Sequence, residues 1–334
     1  MIAVNKTIVP TCKNYGINEY KLDESKIVKS RKKFSRVFSL NMKATCLETQ
    51  LTKIVEQKHN LALTITPQEN ESCLTFDFDN KNNYLVEDLK INISQDKECD
   101  VLLRYNFSKD SYHNGSIMLD CKKDSFCNLT IFCNNTSNVN MLNFLCSLKE
   151  DSTCNITIVN IGGGENIYNF DGKLMGKGGN LTLKTLYLGE KGAKNDFNYN
   201  INSFGSQSEC YMEVVGALNK KAEKSFKGTI DFKKGALKAK GAEREFCLLL
   251  SNEAKSKALP VLLCEEKDVE GAHSSSTGRI DDKALFYLMS RGLTKTEALK
   301  VYVKSIVGSV LNDLNRELKQ EIENIVDRKV KYDK

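Results

Sequence analysis

The chain has 334 residues, 40% hydrophobic and 28% charged, a composition that excludes a disordered or collagen-like polymer and suits a soluble globular protein with a sizeable core. One β domain can run to roughly 200–250 residues, so a single long β body with smaller attachments is expected. The formal net charge of +6 is concentrated at one end, where residues 1–60 hold twelve Lys/Arg against five Asp/Glu. The densest run, "SRKKFSR" at 30–36, has neither a nucleic-acid motif nor interleaved aromatics, which argues for a solvated face or tail and against a nucleic-acid partner.

The opening, "MIAVNKTIVPTCKNYGINEY", lacks the basic head, apolar stretch and cleavage site of a secretory signal. No apolar run is long enough to span a membrane. A cytoplasmic protein is expected, with its twelve cysteines as reduced thiols or ligands. Triplets such as "NIS" at 92 and "NLT" at 128 then reflect an Asn-rich composition, since they accept glycans only in secreted chains.

From about residue 60 short alternations of apolar and polar residues set in: "LALTIT", "CLTFDF", "DVLLRYNF", "CNLTIFC", "CNITIVNI", "LTLKTLYLG", "ECYMEVVGAL" and "FKGTIDF". Five to eight alternating residues broken by Asn, Asp, Gly and Ser predict strands separated by turns. No helix interrupts them for about two hundred residues, which leaves a sandwich, a barrel or a parallel β-solenoid. Cys121, Cys127 and Cys133, spaced by six, and then Cys146 and Cys154 all stand in strand-like runs. No CxxC pair suggests a structural zinc site, so these thiols are expected in the core. "IGGGENIY" at 161 and "GKGGN" at 176 lack the Gly-Lys-Ser/Thr ending of a phosphate-binding loop and are expected as turns between coils.

The end is helical. Asp281 is placed to cap a short helix carrying Leu285, Phe286 and Leu288 that stops at Gly292, and Thr294 with Glu297 forms a capping box for the next helix. Val307, Leu311, Leu314, Leu318, Ile322 and Ile325 recur at three and four and predict one apolar face through the last forty residues. That face either packs on the β body or offers part of its stripe to a partner.

The stretch from 225 to 298 carries a specific resemblance. "SFKGTI", "GA" at 235, "LLLSNEA" at 248, "LPVLLCEEKDVEGAHSSSTGRID" and "LFYLMSRGL" follow one another in the order and spacing of the SufB/SufD family of iron–sulfur cluster assembly proteins. The resemblance covers roughly residues 180–315, weakens through the earlier β region and is absent over the first fifty. It implies a mainly β fold, a right-handed parallel β-helix with a C-terminal helical subdomain and a short N-terminal region. The expected boundaries are 1–58 for a basic region, partly helical or flexible, 59–280 for the β-helix core and 281–334 for the helices.

In that family the core pairs with a second SufB or SufD subunit and the C-terminal helices dock SufC, an ABC-type ATPase. The chain itself is then a non-enzymatic scaffold subunit. A transient iron–sulfur cluster is expected at the subunit interface, and none in the isolated chain purified in air. Asp268, Val269, His273 and Gly278 fit the pattern of SufD-type chains, where SufB-type chains carry His-Glu-Ala. His273 therefore resembles the interface histidine of SufD and is the first candidate iron or interface residue.

Histidine can replace cysteine on cluster iron, and carboxylates also bind it. Glu245 stands where SufB-type chains carry their scaffold cysteine, with Cys247 two residues on and on the same strand face, while Cys264 coincides with a cysteine seen in SufB-type chains. These departures leave two versions open: a SufD-like subunit beside a SufB-like paralogue, or a scaffold that pairs with itself. A polysaccharide-active β-helix protein is a more distant alternative, resting on architecture alone.

Overall fold

A computed structural model describes residues 2–7, 17–23, 37–40, 42–45, 59–67, 71–135 and 139–330. Strand makes up 57% of the structure, wound into a parallel β-solenoid of about 7 turns, and three helices follow. Successive strands alternate between two sheets, each nine-stranded among the described residues. One sheet runs β6 (Glu71–Asp77), β8 (Glu98–Asn106), β10 (Phe126–Asn135), β12 (Thr153–Gly162), β14 (Asn180–Gly189), β16 (Glu209–Leu218), β18 (Ala239–Leu249) and β20 (Val269–Arg279). The other runs β5 (Leu61–Pro67), β7 (Tyr84–Ile93), β9 (Tyr112–Cys121), β11 (Val139–Leu148), β13 (Glu165–Leu174), β15 (Lys194–Ser203), β17 (Glu223–Phe232) and β19 (Lys255–Cys264).

Two further strands, β3 (Val37–Leu40) and β4 (Met42–Thr45), pair antiparallel with β6 and β5 and form the outermost layer of the first end. The remaining pair, β1 (Ile2–Val4) and β2 (Tyr20–Leu22), forms a separate two-stranded ribbon. Of the region expected over 1–58, the described pieces are these strands and the short non-helical stretches beside β1 and β2. The basic run at 30–36 lies outside the described residues.

Period-2 alternation explains the packing. One side of each strand faces the lumen, where Ile, Leu, Val, Phe, Tyr and Cys side chains merge into one core running from Leu61 to Ala254. The cysteines belong to it: Cys99, Cys127 and Cys154 stand side by side on β8, β10 and β12, and all three are buried. Cys127 and Cys133 share one strand face as their even spacing predicts, but Cys121 lies on the opposite sheet because a turn intervenes. Gly162 at the end of β12, and Gly164 and Gly178 in turns, have φ of 139°, 81° and 69°, the conformations for which glycine is suited.

Outside, asparagines stack coil upon coil. Asn128 Nδ2 donates to Asp100 Oδ1 at 2.7 Å and Asn155 Nδ2 to Asn128 Oδ1 at 2.9 Å. These ladders use the Asn-rich composition that the sequence displays. Close coil spacing also makes Gly216 indispensable, since a Cβ there would run into the carbonyl oxygen and ring of Tyr187 on the neighbouring strand. Gly216→Ala is expected to cost about 2–3 kcal/mol in urea unfolding; an unchanged midpoint would mean the coils separate freely there.

Each sheet has one covered outer face. The ribbon β1–β2 lies on the odd-numbered sheet, with Leu22 packed among Tyr84, Val86, Tyr112, Val139, Met141 and Ile167. Of the helices α1 (Asp282–Ser290), α2 (Lys295–Leu311) and α3 (Arg316–Lys329), the last two cover the other, and α1 packs against α2. The capping predictions hold: Asp281 accepts from Lys283 N, and Thr294 and Glu297 form a capping box. The apolar stripe packs inward, with Val307, Leu311, Leu318, Ile322 and Ile325 against Val159, Leu186, Val215 and Leu248. It is not one continuous helix. Asn312 ends α2, and Asn315 caps α3 by accepting from Leu318 N at 2.9 Å, so the stripe bends to follow the body.

Candidate functional site

The last coil, β19 and β20, leaves the far end of the solenoid uncapped among the described residues, so positions that would be core in any earlier coil face outward there. Strand β18 supplies the layer beneath. Along "GAEREFC" the odd positions point into the lumen, and Glu243, Glu245 and Cys247 are 2%, 1% and 0% exposed. The even positions point out: Arg244 reaches Glu213 at 3.7 Å, and Phe246 and Leu248 pack under the helices.

Register places β20 directly on β18, with Glu243 opposite His273, Glu245 opposite Ser275 and Cys247 opposite Thr277. Ser275 Oγ donates to Glu245 Oε2 at 2.7 Å and Thr277 Oγ1 to Ser256 Oγ at 3.2 Å. Both hydroxyls therefore point into the lumen mouth. His273, two positions before Ser275, lies on the same face by strand parity and is exposed.

Glu245 is fully engaged. Lys224 Nζ, reaching across from β17, donates to its Oε1 at 2.5 Å and to the Lys257 carbonyl at 3.2 Å, and both charged side chains are 0% exposed. Cys247 lies deeper, and burial pushes its thiol up, partly offset by the Lys224 charge and by hydrogen bonds to Tyr187 and Ser256. A buried, protonated thiol is a poor nucleophile and a poor ligand. Cys264 ends β19 and is exposed, but it belongs to the other end of the strand pair, near Val269. Four residues of extended chain, about 13 Å, separate Val269 from His273. The fold thus sets Glu245 two positions along from the register partner of His273, and places Cys247, in register with Thr277, and Cys264, beside Val269, about equally far from His273 on either side.

One residue at this mouth escaped the sequence reasoning. Glu243 stands in register with His273, and neither of its carboxylate oxygens has a hydrogen-bond partner. Its signal was present in the alternation itself: a second carboxylate two positions before Glu245 has to share its face. Burial, reinforced by the Glu245 charge, pushes the Glu243 carboxyl up to about 8.

The sign of the pH effect follows. An unfolded chain releases this proton near the ordinary value of 4.5, whereas the folded chain holds it until about 8. The folded state binds more protons between these limits, so stability falls as pH rises through that window, by on the order of 5 kcal/mol. Glu243→Gln is expected to flatten the decline between pH 5.5 and 8.5 in urea unfolding; parallel curves for variant and parent would contradict it.

The other well-described histidine differs in kind. His113 is buried, with Nδ1 2.8 Å from Asn140 Oδ1 and Nε2 3.1 Å from Glu87 Oε1. Tyr105 donates to that same Glu87 oxygen at 2.5 Å and Asn140 to Tyr168 at 2.7 Å. Both ring nitrogens are spent on a closed internal network, which is a structural use. Among the described residues no three His, Cys, Asp or Glu side chains converge to hold a metal ion by themselves. No described helix is long and apolar enough to cross a membrane.

Comparison with known proteins falls on this region and most of the solenoid. A family model described as "SUF system FeS cluster assembly, SufBD core domain" matches residues 76–306, from β6 into α2. The iron–sulfur cluster assembly protein SufD of Bacillus subtilis is 35% identical over 159 residues, 47% of this chain and 36% of that protein. SufD of Escherichia coli is 27% identical over 180 residues, 52% of this chain and 42% of its own. A SufBD family protein of Pyrococcus horikoshii is 37% identical over 92 residues, 28% of this chain and 21% of its own. The matched part spans less than half the length of each of these relatives.

Proposed function

The chain belongs to the SufB/SufD family of iron–sulfur cluster assembly proteins and is most like SufD, and from that premise we propose a non-catalytic subunit of a SUF-type scaffold that pairs with a SufB-like subunit at the open end of its solenoid and docks a SufC-type ATPase through its C-terminal helices. The observation that carries this reading is the uncapped last coil. Among the described residues every strand from β5 to β18 lies between two others in its sheet, and at the first end the four-residue strands β3 and β4 pair antiparallel onto the outermost coil. Strands β19 and β20 present long edges with no pairing strand among the described residues, and Ala258, Pro260, Leu262 and His273 are accessible between them. Open edges of ten and eleven residues are templates for pairing and are normally blunted or covered.

The cluster is cargo in this reading. His273 supplies an imidazole from this chain, and a partner seated on the open end brings further ligands while shutting out water. The departure at Cys264 favours a second version, in which a second copy sits there by two-fold symmetry and an exposed thiol from each copy joins the site. The polysaccharide alternative rested on architecture alone and has no further support.

For the ATPase, the observation is on α1. The stripe of α2 and α3 is consumed by the body, whereas Phe286, Tyr287 and Met289 on α1 are 74%, 56% and 42% exposed. Such an apolar cluster at a fixed helix is the kind of anchor that dominates a protein interface. Replacing Phe286 and Tyr287 together by serine is expected to weaken capture of the ATPase by about tenfold or more, with an unchanged melting temperature. Undiminished capture by the double variant would remove α1 from the docking surface.

A further inference from the structure

We propose that Glu243 and His273 together form a ferrous-iron half-site inside the lumen mouth, one carboxylate and one imidazole, with its other coordination positions left to water or to the partner subunit. This inference rests on the reading of His273 as a site residue and adds to it a ligand that lies beneath the exposed surface.

Two neighbouring groups at this mouth have unused acceptor atoms. Both Glu243 oxygens lack a partner, and no hydrogen bond or ion pair engages the ring of His273 among the described residues. The other polar groups there are committed: Glu245 to Lys224 and Ser275, and Thr277 to Ser256. Glu243 and His273 are register partners on adjacent strands, so their backbones are about 4.8 Å apart and their side chains leave the same face. That is a spacing two ligands of one ion can share.

A structural role accounts poorly for Glu243. A buried polar group without a partner costs free energy, and native structures rarely keep one without a reason such as a missing ion or water. Here the surroundings are built around the carboxyl. Directly across the lumen stands Gly228, where any Cβ would run into the Glu243 carboxyl group. Phe226 and Ile230 flank Gly228 on the lumen face of β17, both 0% exposed. The apolar wall offers nothing to hydrogen-bond, so the polar way out is toward Glu245 and His273.

Oxygen and imidazole donors suit divalent first-row ions such as Fe2+, without selecting the softer ions that thiolates prefer. Two protein ligands, of which Glu243 must release its proton to solvent as the ion binds, hold such an ion weakly. Weak holding fits a group that hands iron on rather than storing it.

The test uses the full chain, purified anaerobically and titrated with Fe2+, with Mn2+ followed by electron paramagnetic resonance as a second probe. Parent, Glu243→Gln, His273→Ala and the outward-facing control Ser274→Ala are compared, each checked for a single cooperative unfolding transition well above the titration conditions. The proposal expects one site in the parent and in Ser274→Ala, weakened about tenfold or more in each of the other two. If Glu243→Gln binds as the parent does while His273→Ala does not, Glu243 is no ligand and the His273 reading survives. If both bind as the parent does, that reading falls as well. Absence of a site in the parent overturns the half-site outright.

Discussion

His273→Ala is expected to lower the iron and sulfide retained by the anaerobically assembled complex by an order of magnitude or more while leaving the unfolding midpoint where it was. The separation of the two effects follows from position. His273 is exposed on the edge strand β20 and makes no hydrogen bond with the described residues, so truncation removes no buried contact and should change stability by no more than about 0.5 kcal/mol. A direct ligand that is lost takes with it at least the tenfold typical of groups that only orient ligands. His113→Ala is the instructive contrast. That ring is buried and holds Glu87 and Asn140 in one network, so its loss should destabilise the fold without a specific effect on iron. Equal iron yield from parent and His273→Ala complexes, with assembly verified, would take His273 out of the site.

Lys224→Met is expected to destabilise the chain by about 3–5 kcal/mol, the largest single effect on the fold. The ammonium group is the partner of a carboxylate in a place where both are shut off from water, at 2.5 Å. Its removal leaves Glu245 buried with only Ser275 to satisfy it. The double variant Lys224→Met with Glu245→Leu should regain most of the loss, because an ion pair replaced by apolar groups of similar volume is often near neutral. A single variant that unfolds within 1 kcal/mol of the parent would mean that water reaches the pair. The consequence for function is practical: loss of activity in Glu245→Ala alone would report an unpaired lysine, so the role of Glu245 toward iron has to be read in the Lys224→Met background.

Much of this architecture is written locally. Alternation over single strands identifies the lumen face, and "GAEREFC" already places Glu245 and Cys247 together; the caps at Asp281 and Thr294 are equally local signals. What stayed hidden depends on contacts far apart in the chain. Cys121 and Cys127 keep even spacing across a turn, yet the turn sends them to opposite sheets. The stripe from Val307 to Ile325 has unbroken periodicity, but Asn312 ends one helix and the Asn315 side chain caps a new one, a break that periodicity alone does not show. The ribbon β1–β2 owes its place to Asn5, which donates to Asp196 Oδ1 at 2.7 Å from 191 residues away. At the site, the resemblance pointed to His273, but the importance of Glu243 appears only when register sets it beside His273 and Gly228 is seen to make room for it.

Native mass spectrometry of the tagged chain, captured anaerobically from its own host, tests the scaffold reading most directly. A complex containing an ABC-type ATPase together with a SufB-like subunit is the predicted result, and a second copy of this chain in place of that subunit would select the self-pairing version. A chain recovered alone under gentle conditions, with neither ATPase nor second scaffold subunit, would contradict both.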